Sequence, residues 1–494
     1  MSNDVVQDAL PPQPGGGGQV APPSPRGVAA DAGDTGYSKD LKARHINMIA
    51  IGGAIGTGLF LGAGGRLASA GPALALAYAV CGLFAFFVVK ALGELVLHRP
   101  SSGSFVSYAR EFLGEKGAYV AGWMYFLNWS TTGIADITAI ALYTHYWSFF
   151  TDTPQWVLAL IALAVVLALN MISVKIFGEL EFWFAVIKVA ALVVFMAIGI
   201  FLVATQHPVG GTTPGLGQIT GHGGLFPSGL MPVVIVMQGV VFAYSCVELV
   251  GVTAGETAEP HKVVPKAVNA IMWRVGFFYV GSVLLLTLLL PWDRFSDGES
   301  PFVTVLSELG VSGAGDVMNL VVLTAAMSSL NSGLYSTGRI LRSMAAAGSA
   351  PRFTARMNAS HVPYGGILLT AAVCVLGVGL NYLVPGKAFE IVLNIAALGI
   401  VSTWCTIMLC HWVFVRRARA GLVERPAFRL PGSPVTEWVT IAFLVGVVVL
   451  MWNDPDVGRR TVLLVPVIAA ALTAGWFAVR GRVRALSAER DLVE

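Results

Sequence analysis

The chain has 494 residues, of which 55% are hydrophobic and only 12% are charged, and its formal net charge is +3. Soluble globular proteins carry about a quarter charged residues, so this composition excludes a soluble enzyme and indicates a membrane protein that crosses the bilayer several times. All five cysteines lie inside apolar stretches, without the spacing of a zinc or redox site. The cysteines therefore predict no disulfide framework and no metal site. We also expect no cofactor and no nucleic-acid partner.

Residues 1–38 are rich in proline, glycine and alanine. We expect this segment to be a disordered tail, and it lacks the basic start and apolar core of a signal peptide. A transmembrane region is predicted over residues 39–480, followed by a short C-terminal tail at 481–494. The transmembrane region contains twelve apolar stretches long enough to cross a bilayer, which we number as spans 1 to 12: residues 46–66, 72–97, 118–148, 154–173, 180–205, 229–252, 268–291, 316–345, 364–384, 388–415, 435–452 and 461–480.

Lysine and arginine are distributed unequally between the two sets of loops. They are frequent in the N-terminal tail, the even-numbered loops and the C-terminal tail, whereas the odd-numbered loops contain only Arg66, Arg294, Lys387, Arg459 and Arg460. Positively charged loops stay on the cytoplasmic side, so both termini are predicted to be cytoplasmic in a cell membrane. The loops are short, and none is large enough for a soluble catalytic domain.

Span 1 contains four glycines within seven residues, at positions 52, 53, 56 and 58. Glycine is a poor helix former, and non-helical backbone at membrane depth must be buried in protein or line a wet cavity. One interpretation is a broken helix whose free peptide groups bind a ligand, since the positive end of a helix dipole suits a carboxylate. The other is a close-packing face for a neighbouring helix. The glycines alone leave both interpretations open.

Span 6 is interrupted by polar residues around Tyr244, Ser245 and Glu248. Two interrupted segments at corresponding positions of two halves indicate an inverted-repeat transporter with its site at the midplane. We therefore predict an all-α membrane protein with about twelve transmembrane helices and discontinuous spans 1 and 6. Its two inverted repeats of five spans lie at about 46–205 and 229–415, with the extra spans 11 and 12 at about 435–480.

Ionisable residues inside the spans cost about 2.5–3.5 kcal/mol each on insertion scales, so each marks a pathway or a partner. Glu94 lies near the end of span 2, where it could also cap the helix or pair with a loop arginine. Asp136 in span 3 could be a structural hydrogen-bonding residue. Lys188 in span 5 could pair permanently with Glu181, extend its ammonium group toward the membrane interface, or exchange protons, and its central depth favours the proton role. Glu248 in span 6 is the hardest of these residues to explain by structure alone.

Several motifs resemble those of the bacterial amino acid transporters of the amino acid–polyamine–organocation superfamily. They are GGAIGTGLF at 52–60, the permease signature between 70 and 100, HRPSSGSF at 98–105, YAREFLGEK at 108–116, EFWF at 181–184, AGE at 254–256 and SSLNSGLY at 328–335. The resemblance covers about residues 37–485 and is strongest to the asparagine-transporting members. It implies five-plus-five inverted repeats and proton-coupled alternating access.

The resemblance also implies roles for individual residues. The broken stretch of span 1 would supply backbone N–H groups for the substrate carboxylate, and carbonyls near Ala54 and at 242–245 would accept from the substrate ammonium group. Proton coupling would involve Lys188, Glu248 and Glu256, with the lysine ammonium standing where sodium-coupled relatives hold a sodium ion. The substrate-binding candidates are Ala54, Ile55, Gly56, Thr57, Gly58, Thr131, Asp136, Phe242, Ser245, Glu248 and Asn331.

We therefore expect a proton-coupled importer of a small neutral amino acid in a lipid bilayer, with L-asparagine as the first candidate and an unspecified oligomeric state. L-Aspartate, D-serine, alanine and 4-aminobutyrate are alternative substrates. An amino acid sensor without net transport is the alternative from a different class, although both termini are short for an added signalling domain. An enzyme is disfavoured, since no loop carries a nucleophile–base pair or a metal-ligand cluster at useful spacing.

Overall fold

The structure is a computed structural model that describes residues 44–45, 48, 55–101, 103–254, 259–384, 388–455 and 457–493. Within these residues the regular structure is helical, and the one β contact is an isolated bridge between Val209 and Thr212. The helices are α1 (Thr57–Phe60), α2 (Gly62–Ala70), α3 (Leu74–His98), α4 (Ser104–His145), α5 (Gln155–Asn170), α6 (Val174–Thr205), α7 (Gly217–Thr220), α8 (Leu230–Ala243), α9 (Leu249–Ala254), α10 (Pro260–Arg274), α11 (Ser282–Leu289), α12 (Pro301–Ser307), α13 (Ala314–Ala346), α14 (Tyr364–Leu383), α15 (Ala388–Arg419), α16 (Val435–Leu450) and α17 (Gly458–Val493).

Every predicted span coincides with helix in the described part of the chain. Three spans are divided: span 1 into α1 and α2, span 6 into α8 and α9, and span 7 into α10 and α11 with a π-helix at Val275–Gly281 between them. Each of the other spans corresponds to one helix. Among the described residues, eight helical segments are long and apolar enough to cross a membrane by length and composition. The prediction of an all-α membrane protein is confirmed.

Several helices extend beyond the apolar stretches that predicted them. Helix α4 begins at Ser104 rather than at 118, and Gly114 (φ +82°) interrupts its helical geometry before the span. Helix α6 begins at Val174 rather than at 180, where the side chain of Ser173 caps it by accepting a backbone N–H. Helix α17 continues to Val493 rather than ending at 480. Hydropathy locates the apolar part of a helix and misses polar turns that continue it.

Helix α4 packs against α15 and α13 at the centre of the bundle. Its approach to α15 is close because Gly399 has no side chain: a Cβ there would lie 2.6 Å from the Cβ of Asn128. The membrane stretches of α13 and α15 are mostly buried, whereas that of α17 contains no buried residue. Span 12 therefore lies at the edge of the bundle, in keeping with its predicted position outside the repeats.

Corresponding spans of the two predicted repeats are neighbours in four cases within the described residues. Helix α1 of span 1 packs on α8 of span 6, and α3 of span 2 packs on α10 of span 7. Helix α4 of span 3 packs on α13 of span 8, and α5 of span 4 packs on α14 of span 9. Two repeats related by an axis through the bundle bring their corresponding elements together near that axis. This pairing supports the five-plus-five arrangement.

A buried ionic cluster ties the loop between spans 10 and 11 to span 2. His411 on α15 lies between two carboxylates: its Nε2 is 2.9 Å from Glu94 on α3, and its Nδ1 is 2.9 Å from Glu437 on α16. Ionised carboxylates only accept hydrogen bonds, so the ring donates from both nitrogens as the imidazolium. The side chain of Arg425 and the N–H of Leu430, both from the loop, also donate to Glu94. Pairing with a loop arginine was one interpretation of Glu94, and it is correct.

Replacing His411 with alanine should destabilise the protein strongly, because Glu94 and Glu437 would keep buried charges without the imidazolium between them. Removing one partner of a buried ion pair costs about 3–5 kcal/mol. We expect a lower midpoint of thermal unfolding in detergent, followed by tryptophan fluorescence. His207→Ala, at an exposed loop position, is the control and should leave the midpoint unchanged. An H411A midpoint equal to that of the control would contradict a stabilising role for the cluster.

Candidate functional site

Span 6 is broken by the turn residues 244–248 between α8 and α9. The N–H groups of Tyr244 and Ser245 bond to carbonyls three residues back, and those of residues 246–248 donate to no backbone carbonyl in the described part of the chain. Cys246 has φ = +80°, in the left-handed region that non-glycine residues rarely occupy. Such strain persists where the surroundings hold it, often at functional sites. The predicted interruption of span 6 is confirmed.

Helix α1 begins inside the predicted stretch of span 1, at Thr57. The preceding Gly56 has extended backbone (φ −130°, ψ −162°), and Ile55 and Thr57 are only 1% and 2% exposed. The first N–H groups of a helix have no intrahelical acceptor and carry partial positive charge. A helix N-terminus is therefore buried inside the bundle. Positions 52–53 and Ala54 lie outside the described residues.

The two broken spans touch each other at Gly58. A Cβ on Gly58 would lie 2.5 Å from the Cα of Ala243 at the end of α8, which is too close for any side chain. A Cβ on Gly56 would lie 3.8 Å from the side chain of Ser329, which is an ordinary contact. Close packing therefore explains Gly58 and does not explain Gly56. The close-packing interpretation of the glycine run therefore applies to Gly58, and the broken-helix interpretation remains for Gly56.

An arginine and three tyrosines satisfy backbone carbonyls around this contact. The carbonyl of Gly58 accepts from Arg66 Nη1 at 2.7 Å and from the hydroxyl of Tyr78 at 3.4 Å. The hydroxyl of Tyr244 donates to the carbonyl of Tyr78 at 2.8 Å, and that of Tyr279 donates to the last carbonyl of α8 at 3.2 Å. The assignment of Arg66 to a loop was wrong, because α2 carries it and it is 8% exposed. Sequence reasoning named Tyr244 as part of the interruption but predicted none of these hydrogen bonds.

Asp136 joins span 3 to the start of α1. Its Oδ1 accepts from the hydroxyl of Thr57 at 2.9 Å, and the residue is fully buried. The side chain of Ser329 also faces this carboxylate, but Oδ2 has no partner with hydrogen-bond geometry among the described residues. A buried polar atom without a partner is unfavourable. A structural hydrogen bond thus accounts for one oxygen of this carboxylate and leaves the other for a ligand or a proton.

Lys188, Ser328 and Glu181 form a buried hydrogen-bonded chain. Lys188 Nζ donates to the hydroxyl of Ser328 at 3.0 Å, and that hydroxyl donates to Glu181 Oε2 at 2.7 Å. Asn331 donates to the other Glu181 oxygen at 2.7 Å and accepts from Asn170 at 2.9 Å. Lys188 is 1% exposed, so its ammonium group does not reach the membrane surface. The pairing of Lys188 with Glu181 is present, through a bridging hydroxyl.

Glu248 lies at the end of the turn in span 6 as a buried carboxylate. It is 1% exposed, and the side chain of Trp404 on α15 and the backbone N–H groups of Cys246 and Glu248 face its carboxylate. None of the described groups meets hydrogen-bond geometry with either oxygen. Tyr125 on α4 lies in its electrostatic surroundings. A role of Glu248 in binding a proton or a ligand stays a prediction.

The remaining candidates lie in different settings. The hydroxyl of Thr131 donates to two carbonyls of its own helix, at 2.7 and 3.0 Å. Phe242 and Ser245 are buried on either side of the point where α8 ends. Ala54 and Glu256 lie outside the described residues. Within the described ranges, no group of three or more His, Cys, Asp or Glu side chains is arranged to hold a metal ion.

The chain matches known proteins over almost its whole length. The family model for amino acid permeases matches residues 45–487. The L-asparagine permease of Streptomyces coelicolor is 78% identical over 98% of this chain and 97% of its own. The L-asparagine permease of Salmonella typhimurium is 60% identical over 92% and 91%. That of Escherichia coli K12 is 58% identical over 94% and 93%.

The family match agrees with the architecture of the described residues. Apolar helices long enough to cross a membrane make up most of the bundle, and permeases are transporters rather than enzymes. The chain therefore belongs to the amino acid permease family, and it is a multi-pass membrane protein that transports amino acids.

Proposed function

We propose that this protein is a proton-coupled importer of L-asparagine across the cell membrane, working by alternating access. The observation that carries the mechanism is the contact at Gly58, which brings the broken backbones of spans 1 and 6 together inside the bundle. The substrate is proposed from the relatives, three of which are L-asparagine permeases at 58–78% identity. We further propose that both termini are cytoplasmic, because lysine and arginine are concentrated on their side.

The substrate carboxylate binds at the start of α1 in this proposal. Free N–H groups and the helix dipole make a helix N-terminus a good anion site. Gly56 lets a ligand approach the backbone closely because it has no side chain. The hydrogen bond from Thr57 to Asp136 holds the start of the helix in place. The substrate ammonium group then binds the carbonyls of Ala54 and of residues 242–245.

The free oxygen of Asp136 favours asparagine over aspartate. The side-chain amide of asparagine both donates and accepts hydrogen bonds, and Oδ2 of Asp136 is a buried acceptor without a partner among the described residues. Aspartate would instead bring a second negative charge to this carboxylate, which is a repulsive contact. Asn331 is less suited to the substrate amide, because it is already bonded to Glu181 and Asn170.

Lys188 and Glu248 are the proposed carriers of the coupling proton, with Glu256 as a third candidate on the cytoplasmic side. Lys188 adjoins a chain of polar groups through Ser328, and its positive charge makes a sodium ion unnecessary. Glu248 lies in the turn that interrupts span 6, so its protonation changes the charge of an element that binds substrate. Proton and substrate then bias the same conformational equilibrium, which is thermodynamic linkage between two ligands.

The protein reconstituted in liposomes should accumulate labelled L-asparagine under an inward proton gradient without sodium, because Lys188 replaces the sodium ion. Unlabelled L-asparagine should compete more strongly than L-aspartate, D-serine, alanine or 4-aminobutyrate. Sodium dependence would contradict the role of Lys188. If another amino acid competes more strongly than L-asparagine, that amino acid is the preferred substrate. Binding without exchange of internal for external asparagine would identify a sensor.

Replacing Glu248 with glutamine keeps the shape of the side chain and removes its ability to ionise. Proton-driven uptake should fall by about tenfold or more, equivalent to at least about 1.4 kcal/mol on a limiting step. Exchange of labelled for unlabelled asparagine without a gradient should be affected less, because it moves no net proton. Glu424→Gln, at an exposed loop position, is the matched control. Driven uptake by E248Q equal to that of the control would assign Glu248 a structural role.

A further inference from the structure

A polar cavity of about 340 Å³ lies at the end of the bundle that carries the odd-numbered loops. We call it the Arg66 pocket. Elements from both halves of the chain line it, namely α2, α8, the loop before α12, α15 and the loop before α17. The polar and charged side chains that carry the argument are Arg66, Gln238, Asp297, Glu390, Asn394 and Asp454.

The charge of the Arg66 pocket is negative. Its lining contains three carboxylates, those of Asp297, Glu390 and Asp454, against the single guanidinium of Arg66. Arg66, Asp297 and Asp454 all act electrostatically on Glu390, so the four charged groups lie close together. Arg459 is nearby in the chain, but its guanidinium lies over the ring of Trp452, 5.5 Å from the centroid, and it does not line the cavity. The described lining therefore attracts cationic groups.

Two amide oxygens of the pocket lack donors. Asn394 is 1% exposed, and its Nδ2 donates to the carbonyl of Glu390 at 2.9 Å, which fixes the orientation of the amide. Its Oδ1 has no hydrogen-bond partner among the described residues, and neither has Oε1 of Gln238. A buried acceptor without a donor is unfavourable. The pocket thus offers acceptors to a ligand that brings N–H groups.

The lining suits an organic cation better than a metal ion. The carboxylates are not grouped as metal ligands, because no set of three or more His, Cys, Asp or Glu side chains in the described chain could hold a metal. The volume is at the lower end of the range of small-molecule sites, about 300–1,000 Å³. An alkylammonium group meets both requirements, since it is positively charged and has three N–H donors.

Arg66 connects this pocket to the contact between the two broken spans. Its Nη1 donates to the carbonyl of Gly58 at 2.7 Å. Gly62 and Gly239 leave room for the guanidinium because they have no side chain. A Cβ would lie 2.7 Å from the guanidinium at Gly62 and 2.5 Å from it at Gly239. Arg66 therefore lines the pocket on one side and bonds to the broken backbone on the other. A carboxylate in the pocket would meet this same guanidinium.

We propose that the Arg66 pocket is a docking site for the ammonium group of incoming amino acids and that it selects neutral zwitterions over acidic amino acids. This inference rests on the proposed import of L-asparagine and adds a second point of discrimination on the route to the break. A zwitterion places its ammonium group among the carboxylates and its carboxylate toward Arg66. L-Aspartate carries an additional negative charge, which the three carboxylates repel.

The test compares Glu390→Gln and Asp297→Asn with the wild-type transporter in liposomes, using labelled L-asparagine and unlabelled L-aspartate as competitor. Each variant should raise the KM for asparagine by about two- to fivefold at a similar maximal rate, the size of one solvent-exposed ion pair. The preference for asparagine over aspartate should fall by a similar factor. Asp152→Asn, which removes an exposed carboxylate at the same end of the bundle, is the control and should change neither quantity.

Two results would overturn the inference. If both variants keep the wild-type KM and the wild-type preference over aspartate, the pocket does not dock the substrate, although import of asparagine stands. If the wild-type protein takes up no asparagine, the proposed function fails, and this inference fails with it. Asp297 lies on an exposed loop, so D297N remains informative even if E390Q does not fold.

Discussion

The backbone contact between Gly58 and Ala243 is the constraint on which the rest of the structure depends. A broken helix leaves peptide groups without helical partners, and in a bilayer such groups must be enclosed by protein. Here two broken spans enclose each other, and a side chain at position 58 would force them apart. Donors from Arg66 and Tyr78 bond to the carbonyl of Gly58, and Tyr279 donates to that of Ala243. The interior can therefore keep a helix N-terminus and an open turn side by side.

The buried ionisable groups divide into two kinds by their partners. His411 pairs with a carboxylate at each ring nitrogen, and loop donors complete the shell of Glu94, so positive and negative charges meet within this cluster even though Oε2 of Glu437 has no partner among the described residues. Asp136 and Glu248 keep carboxylate oxygens without partners among the described residues. The His411 cluster joins helices to a loop, whereas Asp136 and Glu248 adjoin the broken spans. The imidazolium between two carboxylates marks structural charge, whereas the carboxylates next to the broken spans stay candidates for binding and proton transfer.

The fold class and all twelve spans could be predicted from the sequence, because lipid imposes long apolar stretches that composition reveals directly. A charge inside such a stretch is equally visible, which is why Asp136, Lys188 and Glu248 could be singled out. The role of Arg66 could not be predicted, since its partner is the carbonyl of Gly58 and no residue type marks a carbonyl. The polar turns of α4 before residue 118 were missed for a related reason, because helix outside the membrane has no apolar signature.

The central claim is that an amino acid is held between the start of α1 and the turn at 244–248. An electron cryo-microscopy structure with L-asparagine bound tests it most directly. We expect density for the substrate with its carboxylate about 3 Å from N–H groups at residues 55–58, the ordinary length of a hydrogen bond. Its ammonium group should face carbonyls of residues 242–245. Substrate density away from both segments, or an unbroken helix through span 6, would contradict the account.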